Sequence, residues 1–220
     1  MKRISGILFA AASLCALLLA GCGDSSDSEA APAESAAPIR SSAAVYFSRV
    51  GNTDFPDDTD AVTSASLNRA GGVLKGNAQL IAEWAAEAAG CQTFEIVTEK
   101  AYPVDYDATV DLARTEQSEK ARPALKSSDD LSSYDTIWLA FTNWWTDLPM
   151  PLYTFFEKYD FSGRNIYVFV THEGSGYSST VNTIRELEPD ANVIQAMSVR
   201  GGSVTDEEQN IKDYVKKQLG

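Results

Sequence analysis

The fold is decided by residues 43–53, which read AAVYFSRVGNT. The five apolar residues 43–47 form a run of the length and composition of a buried strand. A serine, a glycine and a threonine follow at once, and this composition is typical of a loop. Hydroxyl groups and glycine-freed backbone amides hold anions at the start of a helix without any lysine or arginine. The stretch therefore predicts a buried strand that ends at an anion-binding loop.

The alternation of strand and helix continues to the end of the chain. Apolar runs predict strands, and segments with one apolar face predict the helices between them. The predicted strands are 43–47, 93–97, 136–141, 165–170 and 193–199, and the predicted helices are 76–90, 107–121, 152–159, 179–187 and 205–219. The last helix is expected to start with a capping box at residues 205–208. We expect an α/β domain with a five-stranded, doubly wound parallel sheet in the order 2-1-3-4-5, with helices on both faces.

This topology places a ligand at the carboxyl ends of the first and third strands. The loops to consider therefore follow Phe47, Phe141 and Val170. They read SRVGNT (48–53), TNWWTDLPMP (142–151) and THEGSG (171–176).

At these loops the sequence resembles the flavodoxins. YFSRVGNT (46–53) is similar to their phosphate-binding loop, FTNWWTDLPMP (141–151) looks like the aromatic loop that flanks the isoalloxazine ring in bacterial members, and THEGSG (171–176) looks like the loop at the flavin edge. The resemblance covers residues 43–220. It implies a flavodoxin-like fold, FMN as the cofactor, and electron transfer or quinone or flavin reduction as the activity.

One departure from the family concerns the phosphate loop. Between Phe47 and Gly76 lie 28 residues, where a simple flavodoxin has a tight turn into its first helix. Because the apolar helical period begins only at Leu80, we expect a split loop of Ser48 with residues 76–78, covered by an insertion at 52–73. The alternative is that Gly51-Asn52-Thr53 holds the phosphate itself.

The resemblance implies two groups of FMN-binding residues. The phosphate group comprises Ser48, Gly76, Asn77 and Ala78. Ala78 stands where the family usually has threonine, so one hydroxyl bond of about 0.5–1.5 kcal/mol is lost. The flavin group comprises Thr142, Asn143, Trp144, Trp145, Thr171, His172, Glu173, Gly174, Ser175 and Gly176. We expect His172 at the flavin edge rather than acting as a base, and no residue is assigned a catalytic role.

The adjacent Trp144 and Trp145 are either core residues or flavin-stacking residues. One of two neighbours at a strand end must face away from the sheet's interior, and Asn143 beside them indicates a loop. A tryptophan face on a planar ring buries much apolar surface. We expect at least one of the two to stack on the flavin.

The charge balance excludes some functions. Against 31 acidic residues stand 18 basic ones, for a net charge of -13, and such a chain repels phosphate backbones, so we expect no nucleic-acid partner. A single histidine and three cysteines make a Cys/His metal site implausible, so we expect no metal. Glu173 and Asp147 would place negative charge near the flavin and lower its reduction potential.

The amino-terminal segment has the pattern of a lipoprotein signal. Residues 1–21 combine two basic residues with an apolar run, and Leu19-Ala20-Gly21-Cys22 resembles a lipobox. We expect Cys22 to be lipidated, with palmitate among its acyl chains, and residues 22–42 to form a flexible acidic Ser/Ala/Pro tether. The protein would then lie on the outer face of a bacterial cytoplasmic membrane. Because nicotinamide cofactors are cytoplasmic, we expect a redox protein or a membrane quinone as partner.

Two other classes of function remain open. The domain could have lost its flavin and act as a protein-binding module on the cell surface, which Ala78 and the long insertion favour. A hydrolase with Ser175 and His172 is weaker, because Ser175 lies in Glu173-Gly174-Ser175-Gly176-Tyr177 and lacks the Gly-x-Ser-x-Gly elbow.

Overall fold

The computed structural model describes residues 41–59, 61, 65–126 and 129–220. The predicted signal peptide at 1–21, Cys22 and all but the last two residues of the predicted tether lie outside the described residues. The structure includes Ser41 and Ser42 in the fold, because the backbone of Ser41 bonds to the side chain of Asp135 and to the backbone of Thr136. Within the described part of the chain, no helix is long and apolar enough to cross a membrane.

The described part of the chain forms seven strands and five α-helices. The strands are β1 (Ser42–Tyr46), β2 (Leu67–Ala70), β3 (Val73–Gly76), β4 (Gln92–Glu95), β5 (Thr136–Thr142), β6 (Asn165–His172) and β7 (Asn192–Arg200). The helices are α1 (Asn77–Ala89), α2 (Tyr106–Glu119), α3 (Met150–Lys158), α4 (Thr180–Leu187) and α5 (Glu208–Leu219).

Five of these strands form a parallel sheet in the order β4-β1-β5-β6-β7. Counting only the strands of this sheet, the order is 2-1-3-4-5, and the prediction of a doubly wound α/β fold is confirmed. The central strand β5 is buried along its whole length, as expected when helices cover both faces of a sheet.

Side chains of the sheet alternate between two apolar layers. On one face, Trp138 and Tyr167 pack with Ile81 of α1 and with Ile211 of α5. On the other face, the neighbouring sheet residues pack against α3 and α4, with Phe155 in the centre of that layer. Successive side chains of a strand point to opposite faces of the sheet, so each apolar run contributes residues to both apolar layers.

The start of α5 differs from the prediction. The predicted capping box at residues 205–208 is wrong, because Gly201–Asp206 form a 3-10 helix and α5 begins only at Glu208. Val204 is completely buried, and its carbonyl accepts the backbone N–H of Glu207. Burial of Val204 therefore sets the geometry of this segment, and Thr205 lies inside the 3-10 helix instead of capping α5.

The insertion contains a hairpin that the sequence analysis did not predict. Strands β2 and β3 pair antiparallel, and Gly71 and Gly72 at the turn both have positive φ. Strand β3 runs directly into α1, so that Gly76 ends the hairpin and caps the helix. The long connection from β1 thus returns the chain to the carboxyl edge of the sheet just where α1 begins.

Candidate functional site

The amino terminus of α1 forms a cradle with Ser48. The N-cap of this 13-residue helix is Gly76, which has no side chain to satisfy the first helical N–H groups. A Cβ atom on Gly76 would lie 1.8 Å from the Ser48 hydroxyl oxygen, so only glycine permits this approach. The Ser48 hydroxyl accepts the N–H of Val50, which leaves its hydrogen to be donated. The N–H groups of Gly76 and Asn77 donate to Gln79 and Ser66, so what this point offers an anion is the positive end of the helix dipole and the Ser48 hydroxyl.

The alternative phosphate loop, Gly51-Asn52-Thr53, is held by hydrogen bonds to its neighbours in the fold. The Asn52 amide donates to the carbonyls of Ser48 and Ile96, at 2.8 and 2.9 Å, and its oxygen accepts from Thr98. Gly51 packs directly against the carboxylate of Glu95. A buried, fully bonded asparagine and a neighbouring carboxylate make this loop a poor anion site. The geometry favours the split loop over this alternative.

Asn77 and Ala78, two predicted phosphate ligands, are buried at the start of α1. The Asn77 backbone N–H donates to the carbonyl of Ser66, its side-chain oxygen accepts from Asn68, and its amide group approaches the carbonyl of Gly201 at 3.4 Å. The side chain of Asn77 therefore ties α1 to the hairpin and to the end of β7. It is a positioning residue for the cradle rather than a side-chain ligand.

A cavity of about 340 Å³ lies beside this cradle, within the usual range of small-molecule sites. It is lined by the ends of β1 and β5, the insertion, α2 and the loop after β6, through Arg49, Ala65, Ser66, Tyr106, Thr109, Val110, Ala113, Thr142, Asn143, Trp144, Trp145, Glu173 and Ser175. Ser66 lines the cavity and its carbonyl accepts the first N–H of α1, so the cavity lies one residue away from the cradle.

Both tryptophans line the cavity in different ways. Trp144 is half-buried and packs edge-on against Phe47 and Tyr102, at ring distances of 5.5 and 5.2 Å. Trp145 is 37% exposed, its indole N–H donates to the carbonyl of Val110, and Arg114 lies over its ring. Trp144 is therefore partly a core residue, whereas Trp145 presents apolar surface to the cavity.

The loops after β5 and β6 are held together by hydrogen bonds. The Asn143 amide donates to the carbonyl of Gly176, and the hydroxyl of Ser179 donates to the carbonyl of Thr146. Asp147 accepts from Tyr153 and Thr183, so its carboxylate ties α3 to α4. Asp147 is not among the cavity-lining residues, contrary to the expectation that its charge acts near a ligand.

The predicted residues 171–176 divide into anchors and cavity residues. Thr171 is completely buried and donates to the carbonyl of Ala65. His172 accepts the backbone N–H of Gly174 at Nδ1, and burial lowers the pKa of its imidazole. Glu173 reaches the cavity and forms an exposed ion pair with Arg200. Among the described residues no hydrogen bond joins Ser175 to His172, so the geometry does not support a hydrolase.

The sequence analysis missed part of the cavity wall. Arg49, residues 65–66 of the insertion, and the face of α2 that carries Tyr106, Thr109, Val110 and Ala113 were not assigned to the site. The insertion has no periodic pattern, and α2 was interpreted only as a polar helix. Arg49 lies within the quoted first loop, but nothing in the sequence indicates that its side chain is buried.

The comparisons with known proteins agree with this architecture. A family model described as flavodoxin matches residues 67–218, more than half of the chain. A solved structure from Bacteroides uniformis, of a protein assigned as a flavoprotein, is 25% identical with a TM-score of 0.56, and the match covers 80% of this chain and 97% of that one. A flavoprotein from Lactobacillus acidophilus, crystallised in complex with FMN, is 20% identical with a TM-score of 0.51 and coverages of 77% and 98%. A comparison with curated proteins finds no match.

Proposed function

Because the chain belongs to the flavodoxin family, we propose that it binds FMN and acts in electron transfer, or in the reduction of a quinone or a flavin. FMN supplies the redox chemistry when it is bound, and the protein supplies binding, orientation and electrostatics. The observation that carries the proposal is the cradle at Gly76, together with the adjoining cavity.

The described residues fit the two ends of FMN. The phosphate suits the cradle, where the Ser48 hydroxyl and the positive end of the α1 dipole replace basic side chains in an acidic protein. The planar ring suits the cavity, where Trp145 and Tyr106 expose aromatic surface. Residues 65–66 lie over the ends of β5 and β6, where the carbonyl of Ala65 contacts the hydroxyls of Thr142 and Thr171, and they form part of the cavity wall.

We further propose that Cys22 carries a lipid and that the domain works at the outer face of a bacterial cytoplasmic membrane. The proposal rests on the lipobox-like residues 19–22 and on the acidic, apolar-poor tether that follows. Its partner is then a redox protein or a membrane quinone, because nicotinamide cofactors are confined to the cytoplasm. Partition of the full chain between membrane and soluble fractions tests the anchor, and oxidation of a reduced quinone analogue tests the partner.

FMN titration of a Gly76→Ala variant tests the cofactor. The new methyl group would overlap the Ser48 hydroxyl, so the cradle must open and the affinity for FMN should fall at least about tenfold, or 1.4 kcal/mol. Gly202→Ala is the matched control, because a Cβ atom there meets nothing within 4 Å. Quenching of flavin fluorescence provides the measurement, with thermal unfolding as the test of folding.

A flavin-free protein-binding module is the second candidate. It is favoured by one observation, that the insertion already accepts the first N–H of α1 through the carbonyl of Ser66. Protein that is purified without flavin and does not quench FMN fluorescence would support the module and contradict FMN binding. Equal affinities in the Gly76→Ala and Gly202→Ala variants would instead contradict the location of the phosphate.

A further inference from the structure

Arg49 is a buried cation at the wall of the proposed flavin cavity. Only 4% of its surface is exposed, and it is among the residues that line the cavity. One of its terminal nitrogens donates to the carbonyls of Pro103 and Val104 and to the hydroxyl of Thr109. Its Nε atom is fully buried and has no hydrogen-bond partner among the described residues.

No carboxylate of the described residues forms an ion pair with Arg49. Its hydrogen-bond acceptors are all neutral, and burial lowers the pKa of the guanidinium, although Asp105 and Tyr106 oppose this effect. Asp105 instead caps α2, where its carboxylate accepts the N–H of Ala108. Arginine stays protonated in proteins, so the site contains a buried positive charge with no ion pair, which is compensated within the described chain only by neutral acceptors, by the ring of Phe55 at 5.0 Å and by the field of the exposed Asp105.

Such a charge is costly unless something compensates it. Removing a cation from water costs several kcal/mol, and neutral acceptors offset only part of this. The contacts to the start of α2 satisfy one terminal nitrogen of Arg49. They leave the Nε atom without a partner, and they give no reason for the guanidinium to lie at the cavity wall. A negatively charged group of the ligand would complete the site.

We propose that Arg49 provides the counter-charge for the isoalloxazine ring when the flavin is reduced. This inference rests on the proposed binding of FMN. A quinol that is oxidised to a quinone gives up two electrons and two protons. The ring takes both electrons and one proton, the second proton passes to solvent, and the ring is left with one net negative charge. A buried guanidinium beside the ring stabilises that charge and raises the reduction potential.

The other charged and titratable groups around the cavity act more weakly. They are Glu173, which pairs with Arg200, Arg114 over Trp145, and Asp105 and Tyr106 at the start of α2. Glu173, Arg200 and Arg114 are exposed, so solvent screens their charges. Arg49 therefore outweighs the effect of Glu173 that the sequence analysis expected, and the potential is raised rather than lowered.

The test compares the midpoint potential of bound FMN in Arg49→Met, Arg49→Lys and Arg69→Met variants. Arg69 is the matched control, because it also donates to three neutral oxygens but is exposed and does not line the cavity. Arg49→Met should weaken binding of the reduced flavin relative to the oxidised flavin at least about tenfold, which lowers the potential by about 30 mV. Arg49→Lys retains the charge and should remain close to the wild type, as should Arg69→Met.

The pH dependence of the potential in the wild-type protein tests the proposal even if Arg49→Met does not fold. From about pH 5 to pH 7 the potential should fall by about 30 mV per pH unit, the slope for two electrons and one proton. A slope of about 60 mV, which indicates a second proton, would overturn the proposal. So would equal potentials in Arg49→Met and Arg69→Met.

FMN has two sources of negative charge, its phosphate and the reduced isoalloxazine ring, and riboflavin has only the ring. Comparison of the two ligands shows which of these charges Arg49 contacts. If Arg49 binds the phosphate, Arg49→Met weakens FMN binding, leaves riboflavin binding unchanged and does not alter the potential, and the proposal is overturned. If the wild-type protein binds no flavin at all, the proposed function fails first, and this result is distinguishable by the absence of a flavin spectrum.

Discussion

Trp145 and Thr146 have left-handed backbone conformations, with φ of 51° and 64°. They form the centre of a tight turn in which the backbones of Trp144 and Asp147 bond to each other in both directions. Bulky and β-branched residues rarely adopt this region, which costs roughly 1–2 kcal/mol per residue relative to glycine. Strain of this kind concentrates at functional sites, and here the strained turn is part of the cavity wall through Trp145.

Two glycine substitutions in this turn should separate strain from binding. Thr146→Gly relieves strain without removing the aromatic ring, so the free energy of unfolding should rise by up to about 1 kcal/mol at unchanged FMN affinity. Trp145→Gly relieves similar strain but removes the ring, so FMN should bind at least about tenfold more weakly. Denaturant titration and flavin quenching measure the two effects. Wild-type affinity in Trp145→Gly would exclude Trp145 as a flavin contact.

At the scale of elements, two threonines clamp the insertion onto the sheet. The carbonyl of Ala65 accepts from the hydroxyls of Thr142 on β5 and Thr171 on β6, at 3.2 and 2.7 Å. The two hydroxyl oxygens also lie 2.9 Å apart. Each hydroxyl has one hydrogen and that of Thr171 goes to Ala65, so the hydrogen of Thr142 is divided between Ala65 and the Thr171 oxygen. The clamp holds residues 65–66 over the strand ends, where they form part of the cavity wall.

Thr171→Val should loosen this clamp. Valine has nearly the same shape as threonine but lacks the buried hydroxyl donor, so the free energy of unfolding should fall by about 1–2 kcal/mol. Because the clamp holds part of the cavity wall, FMN should also dissociate faster. Thr154→Val is the control, because the buried hydroxyl of Thr154 has no hydrogen-bond partner among the described residues, and its loss should cost nothing. Denaturant titration and stopped-flow release of FMN give the two quantities. Equal stabilities of the two variants would argue against the clamp.

Some helices and strands were predicted from the sequence and others were not. Helix α1 was predicted from its apolar period and its glycine C-cap, and Gly90 is found there in the left-handed conformation. The capping box of α5 was not found, because burial of Val204 imposes a 3-10 helix on the same residues. The hairpin of β2 and β3 was missed because its short strands alternate only weakly between buried and exposed residues.

The molecule as a whole combines excess acid with buried carboxyl groups. Burial raises the pKa values of Glu95, Glu116 and Glu188 above the usual range. Between the unfolded value, about 4.3, and these raised values, the folded state binds more protons than the unfolded state. Stability is therefore lost as pH rises through the raised pKa values. Repulsion within a chain of net charge -13 acts in the same direction.

The free energy of unfolding should be larger near pH 5 than near pH 8, measured by denaturant titration at constant ionic strength. His172 acts oppositely, because its pKa is lowered, but it is one group against three. Glu116→Gln keeps an oxygen that accepts the Tyr102 hydroxyl and should flatten the dependence. A stability that increases steadily with pH would contradict this account.

The sequence by itself determined the five sheet strands, their order and the edge of the sheet at which the cavity lies. Each of these features depends on the apolar pattern of contiguous residues and on the handedness of strand-helix-strand crossovers. Only the tertiary structure decided that Gly76 lies against the Ser48 hydroxyl whereas Gly51 lies against the Glu95 carboxylate, that the Asn52 side chain bonds to Ile96 and Thr98, and that Arg49 is buried without an ion pair to any described residue. These depend on contacts between residues far apart in the chain, which no local pattern encodes.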